Sequence, residues 1–230
     1  MQRDGDPRFF YDTIADTFEG LDHPHDIQTR LDIVFDELLD DRALRDRLVL
    51  DAGCGYGAFS RRARKRGARV VSCDIAQRLV ARARSSAGTV GVVSDACALG
   101  FRDGSFATVI ASEMVEHVER PFEAVRELAR VVQRGGTLVI TTPNRRWQWL
   151  VRLASRLRLR PFRGLENFLR WSEVEAACTS SGLRIVRHTG FHAWPFQLGL
   201  GWLSRRVDRR FGDGPWARLM INQAVVALKP

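Results

Sequence analysis

Lysine is almost missing from these 230 residues: Lys65 and Lys229 are two of 36 bases, and the rest are arginine. A GC-rich coding sequence produces that bias, so arginine by itself is no sign of bidentate recognition; the net charge of +9 stands regardless. Cysteine is scarce too. Cys54, Cys73, Cys97 and Cys178 show no CxxC or other ligand spacing, which excludes a disulfide scaffold and leaves them as small buried apolar residues. No uncharged apolar run reaches the roughly 18 residues of a spanning helix. Residues 1–7 lack the apolar core of a secretory signal, so the expected compartment is the cytoplasm. No repeat or low-complexity linker breaks the chain. With 45% hydrophobic and 27% charged residues, it is expected to form one domain with a full core.

Charge is distributed unevenly. Residues 1–47 carry 6 bases and 13 acids, residues 48–144 carry 14 and 9, and residues 145–230 carry 16 and 5. All six tryptophans, Trp147, Trp149, Trp171, Trp194, Trp202 and Trp216, fall in the basic last block.

Apolar residues between 26 and 46 recur at helical spacing, after a short aromatic segment (Phe9, Phe10, Tyr11, Ile14, Phe18) that must pack on something. Strands are then predicted at 47–51, 69–73, 89–93, 106–111 and 136–142. They alternate with helices at 59–66, 76–84, 112–118 and 121–132. Such alternation implies an α/β fold with a parallel sheet covered on both faces. After Pro143 the rhythm changes: residues 145–170 read as a helical insertion, which commonly carries specificity. A helix at 171–181 and strands at 183–188 and 219–228 follow. The organisation is therefore a single domain over 1–230. It comprises an N-terminal helical lid (1–47), a core (48–144), the insertion (145–170) and a C-terminal part of the sheet with the acceptor region (171–230).

Asp51-Ala-Gly53-Cys-Gly55-Tyr-Gly57 sits where the first strand turns into a helix, and glycines there let a ligand approach the backbone closely. Asp74 ends the next strand, where an acid grips ribose hydroxyls in dinucleotide folds. The loop is nevertheless GxGxG after an acid rather than GxGxxG. Asp51 beside it disfavours a pyrophosphate and favours a sulfonium, which points to S-adenosylmethionine rather than NAD.

VLDAGCGYG at 49–57, VVSCDIA at 70–76, Ser94-Asp95-Ala96 followed by FRDGSFATVIASEMVEHV, and RGGTLVITTPN at 134–144 together resemble class I S-adenosylmethionine-dependent methyltransferases. The resemblance implies a Rossmann-like seven-stranded sheet of order 3-2-1-4-5-7-6 with the last strand antiparallel. It also implies cofactor contacts. Gly53 and Gly55 would face the methionine part, Asp74 the ribose, Ile75 the adenine ring, Asp95 the adenine amine with Ala96 beside it, and Ser112 the pocket wall. Arg30 matches a position that pairs with the methionine carboxylate, a role suited to a guanidinium fork.

Methyl transfer to a hydroxyl needs alignment and removal of a proton. Glu113 and His117, in the predicted helix after the fourth strand, would share one face at the sheet's carboxyl edge. They read as a general base with its orienting carboxylate, as a divalent-metal set with Glu116, or as acids suiting a helix N-terminus beside a satisfied histidine. The segment Glu113-Met-Val-Glu116-His117-Val118 resembles the ubiquinone-biosynthesis O-methyltransferases, where a metal at these positions is implied. Residues 189–195 resemble a later segment of that family and make His192 a second proton-transfer candidate. Leu165-Glu-Asn-Phe168 departs from the His-Asp pair found there. The expected activity is O-methylation of a small, lipophilic or aromatic acceptor; N- or C-methylation is the alternative.

RNA is the weaker alternative, because Ala111-Ser-Glu113-Met114 offers no aromatic ring to stack an extruded base, and the two acids repel phosphates. Trp147, Leu150, Val151, Ala154 and Leu157 form one apolar stripe with Arg145, Arg152, Arg156 and Arg163 on another side. With residues 191–206, this stretch is expected to meet a lipophilic substrate or an anionic membrane.

Overall fold

The computed structural model describes residues 10–21, 23–156, 164–195 and 201–230. The chain opens with α1 (Phe10–Ile14), a 3-10 turn at Phe18–Leu21 and α2 (Pro24–Asp32), which continues as a π-helical turn over Ile33–Leu38. Then come β1 (Leu48–Ala52), α3 (Ala58–Lys65), β2 (Arg69–Asp74), α4 (Gln77–Ala87), β3 (Val90–Val93) and β4 (Phe106–Ser112). They are followed by α5 (Pro121–Val131), β5 (Val132–Pro143), α6 (Gln148–Arg156), α7 (Trp171–Ser180), β6 (Arg184–Phe191), α8 (Gly201–Phe211) and β7 (Asn222–Leu228).

The seven strands run in the order β3-β2-β1-β4-β5-β7-β6, with β7 antiparallel to both neighbours. This is the expected sheet. The order reverses direction beside β1, so the carboxyl ends of β1 and β4 open a crevice there. Alternation along β1 decides what lies on each side. Leu50 and Ala52 join the core under α5 and α7, with Val125, Leu128 and Ala177. Val49 joins the opposite core with Phe35, Phe59 and Ala63. The Phe35 and Phe59 rings, centroids 6.0 Å apart, fasten the π-turn and α3 to that face. Each fully buried side chain of this size contributes about 1.5–3 kcal/mol.

Two expected elements differ. The helix expected at 112–118 is absent. Glu113 takes a left-handed φ of 50° while its N–H donates to the Thr141 carbonyl, and only a 3-10 turn at Val115–His117 follows. Continued pairing with β5 wins over helical periodicity, so Glu113 and His117 do not share a helix face. Among the described residues of the 145–170 insertion, helix is found at the Arg145–Trp147 turn and in α6; residues 164–168 form no regular element and lead to a bridge between Asn144 and Leu169. Leu157 and Arg163 of the predicted stripe lie outside the described residues.

Candidate functional site

A cavity of about 820 Å³ opens over the carboxyl ends of β1, β2 and β4. Of the sequence-predicted cofactor residues, Arg30, Gly53, Gly55, Asp74, Ile75, Asp95, Ala96 and Ser112 line it. The loop is drawn onto β2 by backbone bonds: the N–H groups of Gly53 and Cys54 both donate to the Cys73 carbonyl, at 2.8 and 3.0 Å. Asp74 then organises it from below. Its Oδ2 accepts from the Gly55 N–H and its Oδ1 from the Ala76 N–H, each at 3.0 Å. Burial raises the Asp74 pKa, and these N–H groups pull it back down. Each oxygen keeps a lone pair for a further donor such as a ribose hydroxyl. Asp95 is similar, with Oδ1 accepting from the Cys97 N–H at 2.8 Å.

Asp51 is different. It is 2% exposed and absent from the cavity lining, because strand alternation turns it with Val49 toward α3. Its Oδ2 accepts from the Ser60 hydroxyl at 2.5 Å, and a hydroxyl chain runs on through Ser72 to Thr89. Burial pushes its carboxyl up to about 6, with Ser60 opposing. Asp51 therefore fastens α3 to the end of β1 instead of facing a ligand.

Arg30, 5% exposed, pairs with Asp26 one helical turn earlier at 2.7 Å. Asp26 also accepts from His192 Nε2 at 2.9 Å. That ring is 1% exposed and is not part of the cavity wall. His192 thus ties the end of β6 to α2, and the structure does not bring it to the other candidates.

Glu113, Glu116 and His117 do line the cavity. Glu113 accepts from the Thr141 hydroxyl at 3.0 Å and from the Asn222 amide at 3.1 Å. Burial lifts its pKa to about 7 against the pull of Arg30. Glu116, 1% exposed, accepts from Thr142 and is pushed well above the carboxylate range by burial and by Glu113. The His117 Nδ1–H donates to the Leu165 carbonyl at 2.7 Å, which fixes the tautomer and makes Nε2 the acceptor. Nε2 lies 3.8 Å from Glu116 Oε1. The irregular 165–167 strap holds this turn in place, with Asn167 donating to the carbonyls of Glu116 and Val118. Among the described residues no three His, Cys, Asp or Glu side chains are grouped to hold a metal ion. With its first residue turned toward β5 and β7, the predicted Glu113–Glu116–His117 metal set loses its geometry.

The cavity has an apolar roof, part of it from the stretch expected to meet a lipophilic substrate or a membrane. The aromatic segment that needed a partner finds one here: Tyr11 meets the His117 ring edge-on at 5.5 Å, and Phe18 meets Tyr56 at 6.3 Å. Trp147, Leu150 and Val151 of the predicted stripe face this cavity rather than solvent, beside Leu165 and Phe168. Phe191, expected on a lipid-facing surface, is fully buried because β6 extends through it.

Known proteins share both the sequence and the shape. A methyltransferase-domain family profile matches residues 50–140. The ubiquinone biosynthesis O-methyltransferase of Xanthomonas euvesicatoria is 39% identical over 103 residues, 42% of this chain and 43% of that protein. Its counterpart in Xanthomonas campestris is 38% identical over 109 residues, 45% of this chain and 46% of that protein. The chain thus spans under half the length of these relatives. Among solved structures, magnesium protoporphyrin IX methyltransferase from Synechocystis with SAH bound superposes with a TM-score of 0.70 at 21% identity, over 97% of this chain and 98% of that one. The [4+2]-cyclase SpnF gives 0.68 at 18% identity, over 96% and 94%. Residues 50–140 therefore match a methyltransferase-domain profile, and the chain has the seven-stranded Rossmann-like fold of these solved structures.

Proposed function

We propose that the protein transfers a methyl group from S-adenosylmethionine to a hydroxyl of a small, lipophilic or aromatic acceptor. The observation that carries this reading is the shared cavity. The glycine loop and Asp74 stand on one wall, and the oriented His117 ring and an apolar roof stand on the others. S-adenosylmethionine, when bound, supplies a methyl already activated on a sulfonium. Asp74 and Asp95 offer acceptor oxygens for ribose and adenine, and Arg30 offers a buried cation for the amino-acid carboxylate. The acceptor lies under Trp147, Leu150, Val151 and Phe168, where it is positioned and water is kept out. His117 takes the hydroxyl proton at Nε2 while the Leu165 carbonyl holds Nδ1–H and stabilises the charged ring. Glu113 keeps the floor of the cavity polar and supports the cation of Arg30.

His117→Ala should lower kcat by about 10²–10⁴ with cofactor affinity intact. Labelled S-adenosylmethionine offered a lipid extract, a phenol panel and total RNA should mark the lipid or phenolic fraction. Label confined to RNA, or full turnover in His117→Ala, would contradict the reading. A second reading, peripheral contact with an anionic membrane, is favoured by the outward side of α6, where Trp149 is 63% and Leu153 44% exposed beside Arg152. Anionic vesicles should carry the wild type upward in flotation and leave Trp149→Ala/Leu153→Ala behind. Among the described residues no helix is long and apolar enough to cross a membrane.

A further inference from the structure

Helix α6 is a partition. Its inner side roofs the cavity already described, and its outer side forms one wall of a second hollow of about 850 Å³ against the start of α7. Six arginines line that hollow, Arg145, Arg146, Arg152, Arg156, Arg170 and Arg218, against one acid, Glu175. Glu175 is already engaged: it accepts from Trp171 Nε1 at 2.7 Å and lies 3.4 Å from His188 Nδ1. Arg145 pairs with Glu173 at 3.1 Å. The other five arginines have no carboxylate partner among the described residues.

The floor is built rather than incidental. Trp171 stacks on His188 with centroids 3.4 Å apart and planes 15° from parallel, and the Arg218 guanidinium stands 6.0 Å from the Trp171 ring. His188 is held neutral, its pKa pushed down to about 4 mainly by burial. Six exposed guanidinium groups around one concavity, five of them without a carboxylate partner among the described residues, give it a positive potential that favours oxyanions. Guanidinium forks match phosphate oxygens two at a time, and a single carboxylate satisfies only one or two of them. A concave site also selects a discrete group over a flat surface. The exposed Trp149 and Leu153 give the rim an apolar edge.

We infer that the groove between α6 and α7 is a binding site for a phosphate-class oxyanion bearing more than one phosphoryl group, separate from the methyl-transfer cavity. This holds whether or not methyl transfer is the activity, since no residue of the groove faces the glycine loop.

The test is calorimetric titration of the full chain with inorganic pyrophosphate in low salt, without cofactor. Wild type should bind, and Arg152→Gln/Arg218→Gln should weaken binding roughly tenfold or more, the scale of lost charge-assisted hydrogen bonds. Arg84→Gln, on the exposed side of α4, should bind as wild type does, and all three should melt alike. Flotation with phosphatidylcholine vesicles, with and without phosphatidylglycerol, then identifies the source. Floating that pyrophosphate reverses marks a lipid headgroup as the occupant; pyrophosphate binding without floating marks a soluble phosphate ester. Either supports the site. No heat with pyrophosphate, or binding that the double variant leaves unchanged, overturns it.

Discussion

Gly53 and Met114 meet backbone against side chain across the seam between β1 and the segment after β4: a Cβ on Gly53 would lie 2.3 Å from Met114 Cγ. Gly53 also has a φ of 73°, which side-chain-bearing residues rarely adopt. Gly53→Ala should therefore lose about 1–4 kcal/mol of stability, through clash and backbone strain together. Urea denaturation checks it. Adding Met114→Ala removes Cγ but leaves Cβ, 2.6 Å from the added methyl, so it should return only part of the clash component and none of the backbone part. A Gly53→Ala protein as stable as wild type would show that the loop has room it is not seen to have.

The buried Asp51 carboxyl makes stability depend on pH in an unusual direction. Its folded pKa of about 6 lies above the carboxylate value near 4 of an unfolded chain. Between those values the folded protein holds a proton that the unfolded chain has released. Asp51 therefore lowers stability as pH rises through this window, by up to about 2–3 kcal/mol. Asp51→Asn carries no such proton and still offers Ser60 an acceptor. The variant should gain on wild type between about pH 4 and about pH 7 in paired urea titrations. A stability difference that does not change with pH would mean that Asp51 titrates normally in the folded state.

Much of this site was legible in the chain, and the misses have physical causes. The glycine loop and Asp74 could be read because strand-to-helix turns need particular residues at fixed places, and the sheet order followed from the resemblance that those motifs carry. The position of Asp51 was also written in β1, whose period of two sends it with Val49 to the α3 side. Glu113 was not readable. Its neighbours have helical spacing, but the decisive bond, from its N–H to the Thr141 carbonyl, joins strands far apart in sequence. The stripe on α6 was read as apolar with a lipophilic substrate or a membrane as its neighbour, and its Trp147, Leu150 and Val151 line the cavity; periodicity tells which residues share a side and not what covers them.

That inward side of α6 sets a prediction about the acceptor. Leu150 and Val151 roof the cavity without belonging to the glycine loop or the β2 end. Val151→Trp should raise KM for the acceptor several-fold or abolish its binding, while S-adenosylmethionine affinity stays within about twofold, the pattern of a change confined to one ligand's binding. Equal weakening of both ligands would mean that the cofactor reaches under α6.

Cofactor recognition as proposed depends most directly on Asp74, the half-buried carboxylate at the end of β2 whose two oxygens are held by the Gly55 and Ala76 N–H groups. Calorimetry of S-adenosylmethionine binding to wild type and Asp74→Ala measures its part, with NAD as the comparison ligand. Wild type should bind, the variant should lose about 1.5–3 kcal/mol, and NAD should not bind tightly. Unchanged affinity in Asp74→Ala, or NAD bound more tightly than S-adenosylmethionine, would contradict the proposed recognition.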